Sequence, residues 1–62
     1  MTISKEECIK RGVTINDVNR AIEYHNLRIY NGESVNTERV MAVAVAMGVQ
    51  CHISQNGMIV VD

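Results

Sequence analysis

The chain has 62 residues, of which 47% are hydrophobic and 21% charged, with a formal net charge of -1 at neutral pH. This apolar content argues against disorder, and the length predicts a single domain, residues 1–62. The acidic balance disfavours nucleic acid as a partner, because phosphate binders normally carry a basic excess. Residues 1–12 are too polar for a signal peptide, and the apolar run 40–49 is too short to span a bilayer. We therefore expect a compact cytoplasmic domain with no membrane contact.

A helix-start pattern occurs three times along the chain. An apolar residue precedes Ser4, Thr14 or Asn36, and a polar turn and another apolar residue follow. Such side chains accept hydrogen bonds from the bare N–H groups of a first helical turn, and the apolar pair forms a hydrophobic staple. Glu7 gives Ser4 a full capping box, and Asp17 holds the equivalent place after Thr14. The pattern predicts three helices.

The first predicted helix covers residues 5–11 and ends at Gly12, a natural left-handed cap. The second begins at Ile15, and its apolar residues recur at helical spacing on one face. That stripe consists of Ile15, Val18, Ala21, Ile22 and His25. We interpret His25 as a residue at the edge of the core rather than a metal ligand.

The pattern changes after Asn26. Residues 27–30 alternate apolar and polar side chains, end in a β-favouring tyrosine and precede Asn31-Gly32, a turn signal. A helix that continued to Tyr30 would leave Leu27 and Tyr30 off the apolar stripe. We therefore predict that the second helix ends near residue 26 and that 27–30 form a short strand, with the longer helix as the alternative.

The third predicted helix follows Asn36 and ends at Gly48. Residues 40–49 carry no polar side chain, so we expect this helix to be buried on every side. A hairpin follows, because Asn56-Gly57 between two apolar runs is a strong signal for a two-residue turn. This turn sets a register in which the facing pairs are Gln55 with Met58, Ile53 with Val60, and Cys51 with Asp62.

Together these elements predict an α+β fold in the order α-α-β-α-β-β. The last strand, 58–61, is apolar on both faces, which is typical of a strand with neighbours on both sides. We place it in the middle of a three-stranded sheet, between 27–30 and 49–54. The second and third helices would cover one face of this sheet and leave the other for a second subunit or partner.

The apolar helix and the two-sided last strand exceed what a monomer of this size is expected to hide. We therefore expect a non-enzymatic, homo-oligomeric binding protein, by default a C2 dimer, that also contacts an unidentified protein. Small acidic domains from phages and mobile elements often act as inhibitors or adaptors, which is an analogy for this role. The predicted contact residues are Met41, Val45, Met58, Ile59 and Val61.

Residues 8–22 resemble the helix-turn-helix of lac-repressor-type bacterial DNA-binding proteins. The matching positions are Cys8, Gly12, Val13, Thr14, Val18 and Arg20. Glu7 and Arg11 depart from the pattern, since the family has apolar residues there. The resemblance implies an alternative function, a compact winged regulator with residues 14–26 as its recognition helix. The DNA-facing residues that it implies are Thr14, Asn16, Asp17, Asn19 and Arg20.

Other chemistry has little support in the sequence. The zinc-preferring residue types are present as Cys8, His25, Cys51 and His52, but their spacing is not that of a zinc site. No nucleophile has an evident base and orienting group, so we expect no catalytic residues, metal or cofactor. Tyr24 and Tyr30 are either interface anchors or residues at the edge of the core.

Overall fold

The computed structural model describes residues 3–62, so the first two residues of the predicted domain lie outside the described part. It shows a small α+β domain with three helices and a C-terminal two-stranded antiparallel sheet. The α+β class and the hairpin are therefore confirmed. The helices are α1 (Lys5–Lys10), α2 (Ile15–Tyr30) and α3 (Thr37–Ala46), and the strands are β1 (Cys51–Ile53) and β2 (Ile59–Val61).

All three predicted helix starts are confirmed by their caps. The side chains of Ser4, Thr14 and Asn36 each accept a hydrogen bond, at 3.2 Å, from the backbone N–H three residues further on. The complete capping box lies at Thr14, whose N–H donates to Asp17 Oδ2 at 2.9 Å. Ser4 forms only the half in which its hydroxyl accepts from Glu7, as far as the described residues show.

The second helix continues through the segment predicted as a strand. Its end is a Schellman motif, in which Gly32 N–H donates to Ile29 C=O and Glu33 N–H donates to Arg28 C=O, both at 2.9 Å. Gly32 adopts φ +80°, which side-chain-bearing residues rarely do. The predicted strand at 27–30 and the three-stranded sheet are therefore wrong, because Asn31-Gly32 ends a helix rather than turning a strand.

The hairpin loop has three residues instead of two. A two-residue type I′ turn needs positive φ at both Asn56 and Gly57, but among the described residues only glycines have positive φ, Gly57 at 85°. Gly57 N–H donates to Ser54 C=O at 3.0 Å, and Ser54 N–H donates to Met58 C=O at 2.8 Å. Ser54 therefore pairs with Met58, and residues 55–57 form the loop.

The longer loop shifts the register by one residue from the prediction. The observed pairs are Cys51 with Val61, His52 with Val60, and Ile53 with Ile59. Because side chains alternate between the faces of a strand, a shift of one residue exchanges those faces. Ile59 therefore points into the core, at 2% exposure, whereas Val60 points outward at 42%.

The core forms where α3 packs against α1, α2 and β1, while β2 packs against α2. The buried polar residue His25 lies beside six buried hydrophobic residues, which are Cys8, Val18, Ile22, Ala44, Met47 and Ile59. The prediction that the third helix is buried on every side is wrong, since Val45 is 62% exposed while Ala44 is fully buried. No helix within residues 3–62 is long and apolar enough to cross a membrane.

Candidate interaction surfaces

The outer side of α2 carries three large apolar side chains at intervals of three residues. Tyr24, Leu27 and Tyr30 are 62%, 57% and 79% exposed, respectively. Residues spaced in this way form an oblique row on a helix surface, so we name these three the tyrosine ridge. Leu27 is the member that the sequence did not indicate, because the predicted strand removed it from the helix. A glycine follows each of the three helices, and this recurrence could have shown from the sequence that Leu27 belongs to the second helix.

An arginine and a glutamate flank the ridge. The Arg28 guanidinium lies 5.6 Å from the centre of the Tyr24 ring, within the range of a cation–π contact. Arg28 Nε also lies 3.5 Å from Glu33 Oε1. An exposed ion pair of this kind contributes little stability, but together the two contacts hold the Arg28 side chain along the helix surface. The ridge therefore has an apolar centre with a polar margin.

The inner side of α2 is fixed by a polar network next to the ridge. Asn26 Nδ2 donates to Ile59 C=O at 2.9 Å, and Ile59 N–H donates to Asn26 Oδ1 at 2.8 Å. The Asn26 carboxamide thus makes the two hydrogen bonds that a neighbouring strand would make. It ties α2 to the edge of β2.

His25 completes this network from a position that is 2% exposed. Its Nδ1 lies 3.0 Å from Asn26 Oδ1, and its Nε2 lies 2.8 Å from Thr37 Oγ1. Because Asn26 Oδ1 accepts the Ile59 N–H, Nδ1 is the nitrogen that carries the proton in the neutral ring. Nε2 then accepts from the Thr37 hydroxyl, so both ring nitrogens are used within the fold.

The predicted contact residues do not form one exposed patch. Val45 and Val61 are exposed, at 62% and 51%, and Met41 and Met58 are half-buried. Ile59 is 2% exposed, so the expectation that the monomer leaves it uncovered is wrong. The predicted register paired Ile53 with Val60, whereas the observed register pairs Ile53 with the buried Ile59.

Cys51 lies on the inner face of the hairpin, next to Met41. Its thiol is 3.6 Å from Met41 Sδ, and burial together with the nearby Asp62 carboxylate raises its pKa. A raised pKa keeps the group protonated at neutral pH, whereas the thiolate is the nucleophile. The Cys51 environment thus favours packing over reactivity, and the other cysteine, Cys8, is buried in the core.

The residues implied by the DNA-binding resemblance lie at the start of α2. Asn16, Asn19 and Arg20 are exposed, whereas the Thr14 hydroxyl is engaged in the cap. Hydrogen bonds from the Thr14 N–H and hydroxyl lower the pKa of Asp17, which keeps this carboxylate ionised. A fixed negative charge among these side chains opposes contact with phosphates. The resemblance itself stays a prediction.

The zinc-preferring side chains are dispersed in the fold. His52 Nδ1 lies 2.7 Å from Asp62 Oδ1 on the exposed face of the hairpin, whereas His25 is bonded within the core. Among residues 3–62, no three His, Cys, Asp or Glu side chains are grouped as metal ligands.

Comparison with protein-family models, with curated proteins and with solved structures finds no match to this chain.

Proposed function

We propose that this chain is a non-enzymatic protein-binding domain of the inhibitor or adaptor type, which self-associates and contacts a second protein through the tyrosine ridge. The observation that carries the proposal is the exposure of Tyr24, Leu27 and Tyr30 on a helix whose opposite side is core. Tyrosines are enriched among the residues that dominate binding energy at protein interfaces. Exposed side chains of this size, clustered on one element, are typical of a contact site.

The ridge is also held rigidly, which lowers the entropic cost of binding. His25 and Asn26 lie between Tyr24 and Leu27 in the chain and anchor the helix to Thr37 and β2. The Schellman motif at Gly32 fixes the helix end directly after Tyr30. A partner would therefore meet a preformed surface, and little further ordering of the chain would be needed.

The test is the capture of a partner protein from an extract of the source cells. The wild type is compared with a variant that carries a charge on the ridge. Leu27→Asp puts an unpaired carboxylate at the centre of the apolar row, which we expect to abolish binding. Asn19→Asp is the matched control, because it adds the same charge to an exposed position of α2 outside the ridge. Circular dichroism establishes that all three proteins are folded.

The proposal expects a protein that is captured by the wild type and by Asn19→Asp but not by Leu27→Asp. The complex should persist in 1 M salt, since an apolar contact responds weakly to ionic strength and a phosphate contact responds steeply. Identical capture by all three proteins would contradict the proposal. So would capture that requires nucleic acid and is lost in Arg20→Ala.

A further inference from the structure

The hairpin has one edge whose hydrogen-bonding groups are unpaired. Ser54 N–H donates to Met58 C=O at 2.8 Å, and Asp62 N–H donates to Gln50 C=O at 2.9 Å. In an antiparallel pair the hydrogen-bonded positions alternate with positions whose N–H and C=O point away from the partner strand. The backbone groups of Cys51 and Ile53 therefore point outward from β1. Within residues 3–62, no hydrogen bond to these groups is found.

The opposite edge is closed next to the loop. The backbone N–H and C=O of Ile59, the first residue of β2, point away from β1, and the Asn26 carboxamide bonds both of them. Helix α2 itself packs against β2. A further strand could not lie along β2 without displacing Asn26. On β2 only Val61 keeps outward-pointing groups, so β1 is the edge that offers two such positions, Cys51 and Ile53, for strand addition.

The open edge is complementary to itself. An unpaired strand edge accepts another extended strand through main-chain hydrogen bonds. Cys51 and Ile53, whose backbone groups point outward, lie on either side of His52. When two copies of β1 run antiparallel about a two-fold axis at His52, each Cys51 faces Ile53 of the second copy, and every outward N–H meets a C=O.

We propose that two copies of this chain pair through β1 into a four-stranded antiparallel sheet in the order β2-β1-β1-β2. The pairing is a dimer that closes, because Asn26 blocks the outer edge of each half. This inference rests on the self-association in the proposed function and specifies its surface. It leaves the tyrosine ridge free for the second protein.

The side chains suit this arrangement. Ile53 is 50% exposed and Cys51 is half-buried on the inner face of the hairpin, so pairing brings two apolar side chains together on each side of the axis. On the outer face the two His52 rings lie next to each other. Each ring is held by Asp62 of its own chain, whose Oδ1 lies 2.7 Å from Nδ1.

The test uses backbone N-methylation, which the short chain makes accessible by chemical synthesis. N-methyl-Ile53 removes two of the four proposed intermolecular hydrogen bonds but none within the hairpin, and it keeps the side chain. N-methyl-Val61 is the matched control, because the Val61 N–H also points outward, from the other edge. Analytical ultracentrifugation over a dilution series gives the dimer Kd of each protein.

We expect a wild-type dimer, a Kd raised about 30-fold or more by N-methyl-Ile53, and no change with N-methyl-Val61. Amide hydrogen exchange of the wild type gives an independent measurement. Cys51 and Ile53 should be protected in the dimer and should exchange fast on dilution. This second measurement holds even if N-methyl-Ile53 fails to fold.

Three results would overturn the β1 dimer. They are a dimer that tolerates N-methyl-Ile53, fast exchange at Cys51 and Ile53 in the dimer, and a wild type that is monomeric throughout. A dimer lost only in Leu27→Asp would place self-association on the tyrosine ridge instead. A monomer whose β1 amides become protected only when a foreign partner is added would make that partner the added strand. Neither result removes the ridge as a protein contact, which the capture experiment judges separately.

Discussion

The two edges of the hairpin are equally short, yet the fold treats them differently. On β2, the Asn26 side chain bonds the backbone of Ile59 at 2.8 and 2.9 Å and closes the edge at that position. On β1, the outward groups of Cys51 and Ile53 have no such neighbour among the described residues. One asparagine on a helix thus separates an edge that belongs to the core from an edge that can meet another molecule. Such asymmetry lets a small sheet associate without growing into a fibre.

The substitution expected to have the largest effect on the difference between the two edges is Asn26→Ala. The change leaves the N–H and C=O of a residue that is 2% exposed without partners and removes the hydrogen bond to His25 Nδ1. Because buried unpaired polar groups are costly, we expect the free energy of unfolding to fall by about 2–4 kcal/mol. Urea denaturation followed by circular dichroism measures the loss.

Asn19→Ala is the control for Asn26→Ala, since Asn19 is exposed on the same helix and the change should stay within about 0.5 kcal/mol. Equal stability of the two variants would show that the carboxamide does not hold the β2 edge. Where Asn26→Ala still folds, the opened edge should also increase concentration-dependent association beyond a dimer.

A smaller effect is expected from Gly57→Ala, which acts on the loop that sets the strand register. Gly57 has φ +85°, and a Cβ built there meets no atom within 4 Å, so the cost is conformational and not steric contact. We expect a loss of about 1–2 kcal/mol, since the left-handed region is unfavourable for alanine. Differential scanning calorimetry measures it.

Gly57→Asn is the matched variant for the loop, because asparagine tolerates the left-handed region better than alanine. It should recover part of the stability lost in Gly57→Ala. A Gly57→Ala protein as stable as the wild type would mean that the hairpin uses a different turn. The edge assignment of Cys51, Ile53 and Ile59 would then need revision.

The smallest expected effect on stability comes from the exposed hydrogen bond between the Thr14 N–H and the Asp17 carboxylate, which, like that of Asn26, joins a side chain to the backbone. Hydrogen bonds from Thr14 lower the pKa of Asp17 below its ordinary value of 3.8. A carboxylate with a lowered pKa in the folded state stabilises the fold above its unfolded pKa, and this contribution disappears as the pH falls through the folded value. The Tm of Asp17→Asn should therefore be slightly below that of the wild type at pH 7.

The two Tm values should converge as the pH is lowered through and below about 3.8, the range in which the Asp17 carboxylate becomes protonated. Thermal unfolding by circular dichroism between pH 2.5 and 7 measures this convergence. A difference that stays constant over the whole range would mean that the charge of Asp17 has no part in the cap. Asp17 would then act in the cap as the neutral Asn26 does at β2, through its hydrogen-bonding shape and not its charge.

The sequence by itself determined the local features of this protein. The three helix starts follow from Ser4, Thr14 and Asn36, and the helix-ending role of Gly12 follows from backbone preference, because caps depend on residues within one turn. The composition and the Asn56-Gly57 signal also indicated a single α+β domain with a hairpin. These features needed no knowledge of distant contacts.

Only the tertiary structure decided the hairpin register and the exposed surfaces. The Asn26 carboxamide anchors α2 to Ile59, a contact between residues 33 positions apart. With α2 packed in this position, Ile59 lies in the core and Leu27 is exposed on the ridge. Spacing along the chain cannot reveal such long-range hydrogen bonds, because they exist only once the elements have packed together.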